Sequence, residues 1–303
     1  MKRSHSRALA VLLALALSSC AIPEAPARVA LLYGVSIYDD SLPEGSYPNL
    51  SLADNDAEDM AAMLGTQGWL TTLRTDADAT KSAMLADISS MAGFDGLVVF
   101  YYSGHGTYDF DGTTYILPRG SITTGGSLDL LAAFYPAELF SAFEAAGLKH
   151  VVVILDSCHS GGFVMEGATT DGVPPLFGPN ETPDGSIMYT WQLPATGDAI
   201  AAYAASASYG DYIVLSAAGA GDFSWETSTH GIFTGFLLQA PGYADADRDG
   251  LITTTELFAF TAVNIQIQWN QWVADDYDNG QYADYHPHVT GSPREYGLLF
   301  ADN

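Results

Sequence analysis

The sequence predicts an α/β fold with a doubly wound, mostly parallel sheet and helices on both faces. Three observations carry this. Apolar runs rich in β-branched and aromatic residues recur along the chain: RVALLYGVS at 28–36, LVVFYYS at 97–103, VVVIL at 151–155 and YIVLSA at 212–217. Runs that are apolar on both faces, these and the one at 69–75, suit strands covered on both sides, as in a parallel sheet between two helical layers. Segments of helical period lie between them, and that alternation is the pattern of βαβ units. The composition supplies the core: of 303 residues, 48% are hydrophobic and only 15% charged, which excludes a disordered acidic chain.

Taken in order, the first strand covers 28–36. A helix follows near 52–65, where Ala53, Ala57, Met60 and Leu64 fall on one face. A strand at 69–75 and a helix near 79–91 lead to the strand at 97–103. Thr114–Pro118 reads as a short extra strand, and a helix near 136–146 precedes the strand at 151–155. Residues 165–198 are rich in Pro, Gly, Thr and Asp and read as a long surface loop. Beyond the strand at 212–217, helices are expected near 230–239 and 254–270, with a weaker last strand at 297–300. The acidic, aromatic stretch 275–290 is expected to be a surface loop without chemistry. No internal repeat or second domain boundary is visible.

Charge narrows the partners. Ten Lys and Arg stand against 36 Asp and Glu, a net charge of −26. Nothing here neutralises phosphates, so nucleic-acid binding is excluded. Basic partners, cations and cationic substrates are compatible with it. At the N-terminus, Lys2, Arg3 and Arg7 precede ten apolar residues from Ala8 to Leu17, too few to span a bilayer. The sequence Leu17-Ser18-Ser19-Cys20 resembles the lipobox of bacterial lipoproteins. That resemblance implies cleavage before Cys20 and lipidation of its thiol. Residues 1–19 are then a signal peptide, 20–27 a tether, and 28–303 one domain held at a membrane of the bacterial cell envelope. Cys158 becomes the only unmodified thiol. It has no partner for an internal disulfide, which points to a reactive group.

Two strands end in chemistry. LVVFYYS runs into Gly104-His105-Gly106, and VVVIL runs into Asp156-Ser157-Cys158-His159-Ser160-Gly161-Gly162. In an open parallel sheet the crevice beyond the C-terminal strand ends receives the ligand. If the two strands are neighbours, an imidazole and a thiol emerge side by side there. The imidazole can take the thiol's proton, and the glycines let backbone N–H groups approach a substrate carbonyl.

The segments YYSGHG (101–106) and DSCHSGG (156–162) resemble the caspase-like cysteine peptidases, especially metacaspases and their bacterial relatives. The segment LSLADNDAEDM (50–60) is similar to the family's first helix, and SAAGAGDFSWE with HGIFTGFLL (216–238) to its later part. The likeness covers nearly all of residues 28–300. It implies the caspase/hemoglobinase fold and peptide-bond hydrolysis through an acyl-enzyme. By the same likeness His105 is the catalytic histidine and Cys158 the nucleophile, with the backbone N–H groups of Gly106 and Cys158 as oxyanion donors. His159, His230, His286 and His288 are read as structural. Metacaspase-like enzymes prefer Arg or Lys before the scissile bond, and the positions matching their acidic pocket are Asp56, Ser103 and Asp156. A cationic side chain entering a partly dry pocket needs such carboxylates to replace its hydration. Trp225 and Glu226 fall where related enzymes build the substrate groove.

A metal loop follows. Asp245-Ala-Asp247-Arg-Asp249-Gly250-Leu251-Ile-Thr253-Thr-Thr-Glu256 fits the twelve-position calcium loop throughout. Asp245, Asp247 and Asp249 supply oxygens at positions 1, 3 and 5, Leu251 its carbonyl, Thr253 position 9 and Glu256 the closing carboxylate. Gly250 makes the sharp turn. Oxygen ligands in this number suit Ca²⁺. Pro241-Gly242 leaves little room for an entering helix, so a lone loop is expected and not a paired EF-hand. The reading from the sequence is therefore a lipid-anchored cysteine endopeptidase acting on peptide or protein substrates with a basic residue at the cleavage site. Its rival is a non-catalytic calcium-binding lipoprotein that presents an interaction surface.

Overall fold

The computed structural model describes residues 27–39, 49–109, 113–157, 212–218, 224–271, 285–291 and 295–302, and the backbone of two short strands within 158–211. In chain order the elements are β1 (Arg28–Gly34), α1 (Ala53–Thr66), β2 (Leu70–Thr75), α2 (Lys81–Ser90), β3 (Leu97–Ser103), β4 (Gly106–Tyr108), β5 (Thr114–Ile116), α3 (Pro136–Ala146) and β6 (His150–Asp156). Then come β7 (Asn180–Glu181), β8 (Ile187–Met188), β9 (Tyr212–Ser216), α4 (Ile232–Leu237), α5 (Ala240–Tyr243), β10 (Leu251–Thr253), α6 (Thr254–Asn264), β11 (His288–Gly291) and β12 (Gly297–Phe300).

Six strands form the main sheet in the order β11-β9-β6-β3-β1-β2. All neighbours pair in parallel except β11, which runs antiparallel to β9. The strand order reverses away from β1 in two directions, as in a doubly wound sheet. The buried strands sort their residues by parity. Ala30, Leu32, Val99, Tyr101, Val152 and Ile154 point to the face covered by α1, α4 and α6. Leu31, Tyr33, Phe100, Tyr102, Val153 and Leu155 point to the face covered by α2 and α3. This is why those runs are apolar at every position: each residue meets one core or the other.

Three sequence expectations are corrected. The strand at 69–75 is not covered on both sides: β2 is an edge, and Leu70 is 70% exposed. The strand at 297–300 is outside the main sheet and pairs with β10 in a separate antiparallel ribbon. Within 275–290, Tyr285 is buried and His288 starts strand β11, so this part belongs to the core and is not a plain surface loop. Pro287 lies just before that strand, where its missing N–H costs no ladder bond.

Candidate active site

The ends of β3 and β6 define the site. Ser103 lies opposite Asp156 in the parallel register, and the Gly104 N–H donates to the Asp156 carbonyl at 3.2 Å. His105 follows at once and is buried; Gly106 opens β4. Leu117 N–H donates to the His105 carbonyl at 2.9 Å, which fastens β5 and its exit to the histidine. Cys158 stands two residues beyond β6 in the sequence and lies outside the described residues, as do Cys20 and His159.

Asp56, Ser103 and Asp156 come together on the α1–α4 face of the sheet. Ser103 Oγ donates to Asp56 Oδ2 at 3.0 Å. Gly231 N–H points between the oxygens of Asp56, 3.1 Å from each, and His230 Nδ1 lies 3.2 Å from Oδ1. Asp156 Oδ2 accepts the backbone N–H and the hydroxyl of Thr234 at 3.0 and 2.7 Å, and Oδ1 accepts Ser224 Oγ at 2.6 Å. Tyr101 OH meets Thr234 Oγ1 at 2.6 Å beneath them. Gly231 is the wedge between the two acids: a methyl group there would collide with the Asp156 carboxylate and lie 2.9 Å from Asp56 Oδ2. Burial, then the nearby Asp156, push Asp56 up to about 8. Burial raises Asp156 as well, against the opposing hydrogen bonds of Ser224 and Thr234. Among the described residues no lysine or arginine pairs with either acid.

Residues 224–234 carry most of these donors, and a hairpin lies at their centre. Thr227 N–H donates to the His230 carbonyl and Ile232 N–H to the Trp225 carbonyl, closing residues 225–232 into a tight turn before α4. The same hairpin sends Glu226 to α1. Its Oε1 accepts Leu52 N–H at 3.1 Å and its Oε2 Ser51 N–H at 3.3 Å. Leu52 has no capping side chain of its own. The first turn of α1, which holds Asp56, is therefore tied to the segment that carries Gly231 and Thr234.

The family model described as Caspase domain matches residues 27–271, most of the chain. The chain belongs to the caspase domain family. This is a family of cysteine peptidases, and the mainly parallel six-stranded sheet flanked by helices is its α/β fold. Among solved structures, this caspase domain is similar to protein GSU0716 from Geobacter sulfurreducens, at a TM-score of 0.54 and 20% identity over 91% of this chain and 100% of that one. At that identity the likeness is one of fold. No relative is found among the curated proteins.

The metal-loop residues sit at the far end of α4 and α5. Carboxylate atoms of Asp245, Asp247 and Asp249 lie within 4.8 Å of one another. Arg248 and Gly250 both take positive φ, 63° and 88°, which coils the loop tightly around them. Gly250 N–H donates to Asp245 Oδ2 at 3.0 Å, while Asp245 Oδ1 is buried with no hydrogen-bond partner among the described residues. Glu256 stands apart from the three aspartates. Its Oε1 accepts Ala246 N–H at 3.1 Å, and its Oε2 accepts the N–H and hydroxyl of Thr253, at 2.9 and 3.0 Å, in a capping box that starts α6. Leu251 and Thr253 begin and end β10, whose antiparallel partner is β12. Among the described residues the loop has no twin, and the entering helix α5 is four residues long.

Sequence reasoning missed Ser224, Gly231 and Thr234 as hydrogen-bond partners of Asp56 and Asp156. Two of them act through backbone N–H groups, which every non-proline residue has, so no residue-type signal marked them. No helix among the described residues is long and apolar enough to cross a membrane.

Proposed function

We propose that this caspase domain is a cysteine endopeptidase that cleaves after Arg or Lys through Cys158 and His105. The observation that carries the reading is the pair Asp56 and Asp156. Two carboxylates are buried beside the strand ends that carry the histidine and precede the cysteine, and among the described residues no lysine or arginine balances them. Groups placed at such cost mark functional sites, and a guanidinium or ammonium is the partner that removes the cost. The parallel register of Ser103 and Asp156 supports the dyad, because each catalytic residue follows its strand by two positions.

In this reading the basic side chain binds against Asp56 and Asp156. His105 takes the thiol proton of Cys158, and the sulfur attacks the carbonyl carbon. The N–H groups of Gly106 and Cys158 hold the oxyanion. His105 then gives the proton to the leaving amine, so the C–N bond breaks and a thioester remains. Water attacks the thioester and returns the thiol. The likeness of Leu17-Ser18-Ser19-Cys20 to a lipobox supports a lipid anchor at an envelope membrane as part of the same reading.

Calcium belongs to the same proposal as a structural ion. The gathered oxygens of Asp245, Asp247 and Asp249 and the orphaned Asp245 Oδ1 support the fit. The Leu251 carbonyl, Thr253 and Glu256 would complete the shell, and the bound ion would neutralise the aspartates.

The test is labelling by an Arg-chloromethylketone followed by mass spectrometry. Mass is expected at Cys158, and loss of labelling in His105→Ala. Equal labelling of both proteins, or faster turnover of Asp-ending than of Arg- and Lys-ending peptides, overturns the reading.

A further inference from the structure

The histidine's own peptide unit is enclosed by two tyrosines that the mechanism above does not use. His105 N–H donates to Tyr38 OH at 2.7 Å. Tyr38 OH lies 3.2 Å from Tyr102 OH. Tyr102 OH donates to the carbonyls of Leu117 and His105, at 2.7 and 3.1 Å. The proton order follows. Tyr102 spends its single hydrogen on carbonyls, so its oxygen accepts from Tyr38, and the Tyr38 oxygen accepts from His105. The result is a closed ring that leaves the His105 N–H, passes two phenol hydroxyls and returns to the His105 carbonyl. All three residues are buried.

The ring reaches the imidazole as well. The Tyr38 ring lies 4.9 Å from the His105 ring, centroid to centroid, tilted by 36°. Gly104 admits the arrangement: a Cβ there would run into Tyr102 OH and stand 2.8 Å from Tyr38 OH. Tyr38 comes from the loop after β1 and Tyr102 from β3, so two separate elements fix one backbone unit. A phenylalanine at 38 would keep the ring face against the imidazole and lose only the hydroxyl that holds the His105 N–H.

We propose that Tyr38 and Tyr102 are positioning residues that set the His105 imidazole for proton transfer. This rests on the peptidase reading of His105. The hydroxyl ring fixes the Cα–Cβ direction of His105, and the Tyr38 face limits rotation of the imidazole. General acid–base transfer demands such placement, and a displacement near 1 Å costs about 100-fold in rate.

The experiment uses the whole chain and steady-state cleavage of an Arg-ending peptide amide from about pH 5 to 9. Tyr38→Phe and Tyr102→Phe each remove one hydroxyl of the ring. Tyr115→Phe removes a hydroxyl that donates to Asp109 Oδ2 on the neighbouring hairpin and serves as control. The expected result is a kcat about tenfold lower in both ring variants, KM within about twofold, and a displaced pH limb for His105, with the control unchanged. Wild-type kcat and an unmoved limb in the ring variants overturn the assignment. Amide exchange on the wild-type protein decides the point if a variant fails to fold: the His105 N–H should exchange slowly, and rapid exchange refutes the ring. A wild-type chain without turnover, or an active His105→Ala variant, instead overturns the peptidase reading beneath it.

Discussion

Two carboxylates buried side by side, with no lysine or arginine against them among the described residues, resist ionising together. Asp56 binds its proton more tightly in the folded chain, with its affinity moved from the ordinary 3.8 to about 8. Between those values the folded chain holds a proton that the unfolded chain has released. Stability of the unliganded protein should therefore fall as pH rises from about 4 to 8. In the proposed function substrate binding would have the opposite sign, because a guanidinium needs the ionised pair. kcat/KM on Arg-ending peptides should rise through about pH 8. Asp56→Asn should remove its own share of both effects and leave that of Asp156, lowering kcat/KM about 100-fold without lowering Tm at pH 8. Kinetics and thermal melts at several pH values check this. A variant that keeps wild-type turnover of basic peptides would remove Asp56 from the pocket. The residue types were legible here: Asp56, Ser103 and Asp156 could be named from the sequence. Their hydrogen-bond partners were not, since Gly231 and Thr234 contribute backbone N–H groups from 175 and 78 residues away.

At the scale of elements, the hairpin before α4 ties together parts that the chain presents far apart. Glu226 satisfies the N–H groups of Ser51 and Leu52 at the uncapped start of α1. Burial raises its proton affinity, which these two N–H groups oppose. Glu226→Ala leaves both donors without that partner and frees the turn that holds Asp56. A loss of about 1 kcal/mol in stability is expected, the usual worth of a lost helix cap. KM for basic peptides should rise with it. Urea titration and kinetics on the same sample test the link, and an unchanged KM would show that the cap does not position Asp56. Periodicity made α1 visible in advance, but its cap comes from across the fold, where no local pattern points. The same limit hid β11: a four-residue edge strand buries too little apolar surface to show an alternation.

Across the whole molecule, the acidic loop at 245–250 and the buried pair Asp56 and Asp156 lie at opposite ends of α4 and α5, and α6 leaves the loop to pack against α4. Calcium bound only to the folded chain stabilises it by linkage. At a hundredfold excess over Kd the gain is about 2.7 kcal/mol, a rise of several degrees in Tm. Asp245→Asn should abolish the rise. A Tm indifferent to millimolar Ca²⁺ and to chelator would remove the ion from the proposal.

The amino-acid sequence on its own determined the strand runs, the layer alternation, the positions of His105 and Cys158 after their strands, and the spacing of the metal loop. These are local: each is written in the type and order of neighbouring side chains, through period, turn chemistry and charge. Tertiary structure alone decided which edge of the sheet is bare, where β12 pairs, how Gly231 separates the two acids and how two tyrosine hydroxyls close around His105. Those outcomes depend on backbone groups and distances between remote segments. A peptide N–H is the same at every non-proline residue, so its partner is chosen by packing and leaves no mark in the sequence.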